Sequence, residues 1–268
     1  MRYAGISRPF RRISWPVHRI AITRTISRCR GAAAIPLPAR LRNQFAQWYR
    51  QKPLRFPRSL GFIAGWGIHP LDIALWGGGR LLGGKVEIEG RGTFRNTEGV
   101  CDTATVWEVD FRFGSGVTMK FIGVPNGRNQ GLATSDPWLY NEEWKTRYRR
   151  ISSHGTAFEG SDGWVHVDRG GINLQPEDLI DIAPETLKAQ LVRSPGHVRN
   201  FLDCIRSRAE TVSNLHAAIA SDALCHLADA ATRLGRRLKF DFETERFLND
   251  ETANQRLKAR PMRKTWHL

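Results

Sequence analysis

Hydrophobic and polar residues alternate along two neighbouring stretches of the chain, residues 86–94 and 103–113. Val86, Ile88 and Phe94 fall on one side of the first stretch, and charged residues fall on the other. The apolar positions of the second stretch are Trp107, Val109, Phe111 and Phe113, and the charged positions between them are Glu108, Asp110 and Arg112. A period of two predicts strands with one buried and one polar face.

Short glycine-containing links join further alternating runs. Gly114–Gly116 leads into Val117–Phe121, and the alternating runs 157–160 and 164–168 lie on either side of Ser161–Gly163. Such links between alternating runs are typical of hairpins. The sequence therefore predicts a largely antiparallel or mixed sheet.

The period changes after Gly196. Four apolar residues at i, i+3, i+4 and i+7 predict an amphipathic helix: Val198, Phe201, Leu202 and Ile205. A longer, well-buried helix is predicted from Leu215 to Leu234, with an N-cap at Ser213-Asn214 and Gly235 just beyond its end. Helices that cover one face of a hairpin-built sheet give an α+β domain.

The first 60 residues differ in charge from the rest of the chain. They contain 14 Lys or Arg and no acid, so they account for nearly all of the formal net charge of +15. Three interpretations stay open: an arm that binds nucleic acid phosphates, a targeting segment, and a disordered or mistranslated extension. We expect a basic, disordered leader over residues 1–60 and a folded domain over residues 61–268, with nucleic acid an unlikely partner.

Composition limits the other classes of function. No apolar run approaches the length of a membrane-spanning helix. The four cysteines lack CxxC spacing, so the sequence predicts reduced thiols and a cytoplasmic protein rather than a zinc site or a disulfide framework. No other cluster of potential ligands has metal-site spacing, and neither a nucleophile elbow nor a phosphate-binding loop is present.

The segment Gly61–Trp76 contains the candidate chemistry. Pro70 suits the first position of a helix, which would make His69 the N-cap and Asp72 the third helical residue. In one interpretation, a neutral His69 at the mouth of the helix exchanges a proton with a substrate hydroxyl. In the other, His69 is only a cap and Asp72 reaches back to a backbone N–H as in a capping box.

Three further residues are candidates for substrate contact. Trp66 either stacks on a sugar ring or packs in the core, and Arg169 either binds a substrate hydroxyl or carboxylate or caps a turn. His154 is a weaker candidate, since no carboxylate is close to it in sequence. A long polar excursion over residues 123–155 adds Trp138, Tyr140, Trp144 and Tyr148, which suit a surface that faces a sugar, a partner or a nucleic acid.

Several motifs resemble one family. The helix opening Gly67-Ile-His-Pro-Leu-Asp72 is similar to the G-x-H-x-x-D segment of the Gfo/Idh/MocA oxidoreductases. Later matches in order are 102–107, 116–119, 158–165, 168–171, 199–208, 234–238, 244–250 and 260–268. The resemblance covers Gly61 to Leu268 and none of the leader.

The resemblance implies the substrate-binding C-terminal domain of an oxidoreductase that uses NAD or NADP on sugars, polyols or related hydroxyl compounds. It implies that His69 assists proton transfer and that Asp72 orients or accompanies it. Many members have an Asp four residues before that histidine, where this chain has Gly65.

The dinucleotide-binding half of such an enzyme has no counterpart in the sequence. No G-x-G-x-x-G fingerprint and no Glu-Lys-Pro motif is present, and the glycines at 77–79 and 83–84 are interpreted as a helix stop and a turn. We therefore expect a truncated domain that is inactive alone. Two alternatives stay open: a non-catalytic carbohydrate-binding module or homo-oligomerisation module that uses the polar sheet face, and a nucleic-acid binder that uses its leader.

Overall fold

The computed structural model describes residues 17–26, 60–94, 103–125, 146–149, 154–177 and 194–258, the first of these ranges by its backbone. Within these ranges, nine strands form one mixed sheet in the order β7-β6-β5-β1-β4-β3-β2-β8-β9. The strands are β1 (Val17–Ile26), β2 (Lys85–Phe94), β3 (Ala104–Phe113), β4 (Thr118–Pro125), β5 (His154–Gly160), β6 (Trp164–Asp168), β7 (Gly171–Gln175), β8 (Leu238–Asp241) and β9 (Arg246–Phe247).

Helices pack on this sheet, so the predicted α+β class is confirmed. They are α1 (Phe62–Gly65), α2 (Ile68–Gly78), α3 (His197–Ser207), α4 (Leu215–Leu234) and α5 (Glu251–Leu257), with a 3-10 turn at Gly79–Leu82. The predicted caps of α4 are present: the side chain of Asn214 accepts a hydrogen bond from the N–H of Ala217, and Gly235 has φ 59°. No helix in the described ranges is both long enough and apolar enough to cross a bilayer.

The core lies between the helices and the apolar face of the sheet. The predicted alternation holds in β3, where Trp107, Val109, Phe111 and Phe113 are buried. They belong to the same apolar cluster as Leu71 of α2 and several residues of α4, among them Leu224, Leu227 and Ala231. The sheet and the two helices therefore share one core, which fixes α2 relative to the strands.

The opposite face of the sheet is polar and covered with charge pairs. Glu108 of β3 binds both Arg91 of β2 and Lys120 of β4, at 2.8 Å and 2.6 Å, and Lys120 also pairs with Asp110. The alternation therefore produces the polar face that the sequence predicts. Oligomerisation through this face stays a prediction.

Strand β1 lies in the basic leader, where the sequence predicts no helix or strand. It pairs in parallel with β4 and antiparallel with β5, so it occupies an inner position of the sheet. Its sequence, Val-His-Arg-Ile-Ala-Ile-Thr-Arg-Thr-Ile, is rich in β-branched residues, which favour extended backbone. Of the other residues of the leader, Leu60 lies within the described ranges and is buried, and the rest lie outside them.

Tyr148 belongs to a smaller apolar cluster beside β5 and β6, with Ile122, Ala157 and Trp164. Its hydroxyl donates a hydrogen bond of 2.6 Å to Glu159, and its ring stacks on His166. The prediction that Tyr148 belongs to an exposed binding surface is therefore wrong, because the side chain is buried. Trp138, Tyr140 and Trp144 lie outside the described residues.

Helix α3 forms where the sequence predicts it, but its apolar side faces solvent. Val198 is 74% exposed and Phe201 is 57% exposed, and none of the residues of α3 is buried. Leu215 and Ile219, near the start of α4, are also exposed. An amphipathic pattern predicts a helix with an apolar face, and here that face remains uncovered.

Candidate functional site

His69 lies at the start of α2, just after the short helix α1. The helix begins at Ile68 with Gly67 as N-cap, so His69 is its second residue and not the cap expected from Pro70. The reason is an earlier turn: the N–H of His69 donates to the carbonyl of Trp66, which starts the helix before the proline. The side chain of His69 is exposed and available to a ligand.

Gly67 lets α2 start close to α1 and the sheet. A methyl group at this position would meet the carbonyl oxygen of Ile63 and lie 2.6 Å from the ring of Phe121. The junction of α1 and α2 is therefore fixed by packing, and so is the direction in which α2 presents His69.

Strand β5 is tied to the start of α2. The buried hydroxyl of Thr156 donates a hydrogen bond of 2.8 Å to the carbonyl oxygen of Pro70. This contact brings the first residue of β5, His154, next to Trp66, with their ring centroids 5.5 Å apart and nearly perpendicular.

Arg169 reaches the same place from the turn between β6 and β7. The carboxylate of Asp168 accepts a hydrogen bond of 2.6 Å from the N–H of Gly170 and so stabilises the turn. The guanidinium of Arg169 lies over the indole of Trp66, 4.5 Å from the centroid. This geometry is a cation–π contact.

Trp66 is thus the common neighbour of three basic side chains. His69 lies 5.0 Å from it, at an interplanar angle of 77°, and His154 and Arg169 complete the group. The structure brings together four of the five residues selected from the sequence. Arg169 covers one face of the indole, so that face is not open to a sugar ring.

Asp72 is the fifth residue, and it points to a different neighbour. The hydroxyl of Ser221 in α4 donates a hydrogen bond of 2.9 Å to its carboxylate. The capping-box interpretation is therefore wrong: the cap Gly67 receives no side-chain hydrogen bond, and Asp72 is the fifth residue of α2 rather than the third. Asp72 joins α2 to α4 and holds the helix that presents His69.

A family model matches the part of the chain that contains Arg169 and Ser221. Residues 155–268 match the model described as the oxidoreductase family, C-terminal alpha/beta domain. The model is that of the Gfo/Idh/MocA oxidoreductases, and it covers less than half of the chain. The resemblance inferred from the sequence is confirmed for these residues, which include Arg169 and Ser221.

Solved structures of oxidoreductases are similar to this chain at low sequence identity. The aldose-aldose oxidoreductase of Caulobacter crescentus, in complex with glycerol, is 14% identical with a TM-score of 0.48, and 84% of this chain covers 56% of it. The WlbA dehydrogenase of Bordetella pertussis, in complex with NADH and UDP-GlcNAcA, is 12% identical with a TM-score of 0.45. The match covers 82% of this chain and 53% of the WlbA chain. An oxidoreductase of Agrobacterium radiobacter, in complex with NAD+, L-tartaric acid and magnesium, is 15% identical with a TM-score of 0.41. The match covers 84% of this chain and 56% of that protein.

The chain spans a little over half the length of these Gfo/Idh/MocA-like structures. No protein with a curated description matches it. At this level of similarity, the bound molecules of the three structures say nothing about the ligand of this chain.

The glycine-rich run at residues 77–79 does not fit a dinucleotide. Gly77 and Gly78 end α2 and Gly79 is its C-cap, so backbone carbonyls rather than N–H groups are exposed there. A pyrophosphate needs the N–H groups of a helix N-terminus. The β-carbon of a residue at position 77 would also meet the ring of Phe158. We therefore assign no step of a reaction to a cofactor held by the described residues.

Two residues that hold the site together were not predicted. Thr156 and Ser221 bind partners 86 and 149 residues away in sequence, so no local pattern marks them. Among the described residues, no group of three or more His, Cys, Asp and Glu side chains could hold a metal ion.

Proposed function

We propose that this chain is the substrate-binding half of an NAD(P)-dependent oxidoreductase that acts on a hydroxyl group of a sugar, a polyol or a related compound. The observation that supports the proposal is the exposed His69 beside Trp66, in the group that His154 and Arg169 complete. An aromatic ring beside polar side chains that can donate and accept hydrogen bonds suits a hydroxylated ligand.

His69 is the proposed proton-transfer residue. When an alcohol is oxidised to a carbonyl, its hydroxyl proton must leave as the hydride leaves carbon. A neutral imidazole accepts that proton, and an imidazolium returns it in the reverse direction. Exposure at the start of α2 leaves the ring open to a substrate hydroxyl.

Asp72 is a positioning residue in this proposal. It reaches Ser221 of α4 and so fixes the helix whose first turn contains His69. The family resemblance suggests a direct carboxylate–histidine pair, but the hydrogen bond of Asp72 in the described structure goes to α4.

The hydride acceptor, NAD or NADP, would come with a separate nucleotide-binding domain. This requirement follows from the glycine run at the end of α2, which does not fit a pyrophosphate. Truncation of the enzyme, inactivity of this chain alone, self-association through the sheet face and a cytoplasmic location all stay predictions.

Binding of neutral polyols to the full chain tests the first half of the proposal. We expect isothermal titration calorimetry to detect binding of sugars such as D-glucose or myo-inositol. Trp66→Ala should weaken binding by about 10-fold, since aromatic contacts of this kind contribute about 1–1.5 kcal/mol. Trp76→Ala is the control, because Trp76 lies near the end of α2 and its side chain is 49% exposed. Equal losses in both variants would argue against the site.

Turnover tests the second half of the proposal, the oxidation of the substrate hydroxyl. With a dinucleotide-binding domain of a relative supplied as a second polypeptide, His69→Ala should lower the rate of nicotinamide reduction by about 10²- to 10⁴-fold while sugar affinity changes little. Sugar binding without turnover would instead support a non-catalytic carbohydrate-binding module. Stoichiometric, tight uptake of NADH by the chain alone would contradict the proposed division of labour.

A further inference from the structure

Arg169 differs from several other arginines of the described structure in the partner of its guanidinium. Arg91, Arg147 and Arg233 each pair with a carboxylate. Arg169 is exposed, and its recorded contact is the face of Trp66, without an ion pair to any carboxylate of the described residues. A permanent positive charge is therefore held in place beside the proposed proton-transfer residue.

The acids close in sequence to Arg169 and His69 accept hydrogen bonds from other residues. Asp168 accepts a hydrogen bond from the N–H of Gly170 in its own turn, and Asp72 accepts one from Ser221. The side chains recorded against the indole of Trp66 are a guanidinium and two imidazoles, with no carboxylate among them. Arg169 therefore brings a permanent positive charge to this ring.

From this arrangement we infer that the substrate has an anionic group, a carboxylate or a phosphate, which Arg169 binds while His69 faces the reacting hydroxyl. The inference rests on the proposed function and names its substrate class: hydroxy acids of sugar size, or sugar phosphates. A guanidinium presents a planar fork of N–H donors that matches the oxygens of either anion.

Trp66 makes Arg169 suited to this role. Stacking on the indole restricts the guanidinium before any ligand arrives, so less side-chain entropy is lost on binding. His69 and Arg169 share this single neighbour, at 5.0 Å and 4.5 Å. The reacting hydroxyl and the anionic group must therefore lie within one small molecule.

Calorimetry on the full chain tests the inference with matched compounds: D-glucose as the neutral probe, D-glucuronate as the carboxylate and D-glucose 6-phosphate as the phosphate. We expect one of the two anions to bind about 10- to 100-fold more tightly than glucose, as a hydrogen-bonded charge pair provides. The anion that binds more tightly than glucose shows whether the charged group of the substrate is a carboxylate or a phosphate. Added NaCl should weaken binding of the anion only.

Variants assign the effect to its residue. Arg169→Ala should remove the preference for the anion, so that the anion binds this variant no more tightly than glucose does. Arg112→Ala, which removes an exposed arginine of β3, should leave the preference unchanged. Anion and glucose binding with equal affinity, or a preference that survives Arg169→Ala, would overturn this inference and leave the proposed function intact. Failure of all three compounds to bind would overturn both.

Discussion

Asp72 and Ser221 form a contact between two helices at the point where the site is presented. Ser221 is 1% exposed, and its hydroxyl lies 2.9 Å from the Asp72 carboxylate and 3.0 Å from the carbonyl oxygen of Ala217. A half-buried carboxylate that loses its donor keeps its desolvation cost. Loss of this hydroxyl would therefore leave the Asp72 carboxylate without its recorded donor at the contact between α2 and α4.

We expect Ser221→Ala to lower the free energy of unfolding by about 1–2 kcal/mol, because it leaves Asp72 without its protein donor. Urea denaturation followed by circular dichroism measures the change. Ser161→Ala, in the exposed turn after β5, is the control and should alter stability by less than about 0.5 kcal/mol. If both variants unfold at the same urea concentration as the natural chain, Asp72 does not need Ser221.

Glu108 connects three strands on the polar face of the sheet. Partial burial opposes its ionisation and is the largest single effect, but the hydrogen bonds from Lys120 and Arg91 and the positive charges of these two residues together outweigh it. The pKa of Glu108 therefore lies below its ordinary value. A carboxylate of this kind stabilises the fold above its unfolded-state pKa, and the contribution disappears as pH falls through the folded-state pKa.

Glu108→Gln should accordingly reduce stability by about 1 kcal/mol at pH 7, and by progressively less as the pH is lowered from about 5 towards 3. Chemical denaturation at several pH values gives the profile. Glu177→Gln removes a fully exposed partner of Arg149 and should give a flat difference near zero. A constant difference for Glu108→Gln across this pH range would show that packing, not charge, accounts for its effect.

The residues of the site differ in how far local sequence reveals them. Trp66, His69, His154 and Arg169 are visible as residue types suited to chemistry, but only the fold shows that they surround one indole. Ser221 and Thr156 have no such signal, since each forms its contact across a large part of the chain. Side-chain hydrogen bonds between distant elements leave no periodic trace in a sequence.

At the scale of elements, the junction of α1 and α2 determines where His69 lies. Gly67→Ala places a methyl group against the carbonyl of Ile63 and the ring of Phe121, so α2 or the ring must shift. We expect a loss of about 1–3 kcal/mol in the free energy of unfolding, as overpacking in a core produces. We also expect weaker ligand binding, because His69 and Trp66 move with the junction. Urea denaturation and calorimetry measure the two effects.

Gly65→Ala provides the matched control two residues earlier. A methyl group at that position meets nothing within 4 Å, so stability should stay the same or rise slightly. Equal destabilisation by both substitutions would mean that backbone freedom, rather than space for the side chain, explains the two glycines.

The elements themselves follow from the sequence to different degrees. Strong alternation predicts β2, β3 and β4, and the period of 3.6 predicts α3 and α4, because each has enough residues to display its period. The short strands β7, β8 and β9 are not predicted by such a pattern. Strand β8 pairs with β2, and β9 pairs with β8, so tertiary contacts place them in the sheet. For α3, the pattern gives the helix but not its exposed position, since only the fold decides which apolar faces become covered.

At the scale of the whole molecule, β1 decides whether the sheet is continuous. It is the strand that joins β5, β6 and β7 to β4, β3 and β2. The sequence suggests a boundary at residue 60 because the charge of the chain changes there. Charge composition reports solubility and partners rather than pairing, so it does not reveal a strand inside a basic segment.

Two changes to the chain test this boundary. Removing residues 1–60 deletes β1 and leaves the edges of β4 and β5 without their partner, so we expect a lower melting temperature and concentration-dependent aggregation. Removing residues 1–16 keeps β1 and is the control. Ile22→Pro tests the same point in the full chain, because proline cannot donate to the ladder, and should cost more than about 2 kcal/mol. If the chain without residues 1–60 melts like the full chain, the folded domain begins at residue 61 as its sequence suggests, and β1 is dispensable.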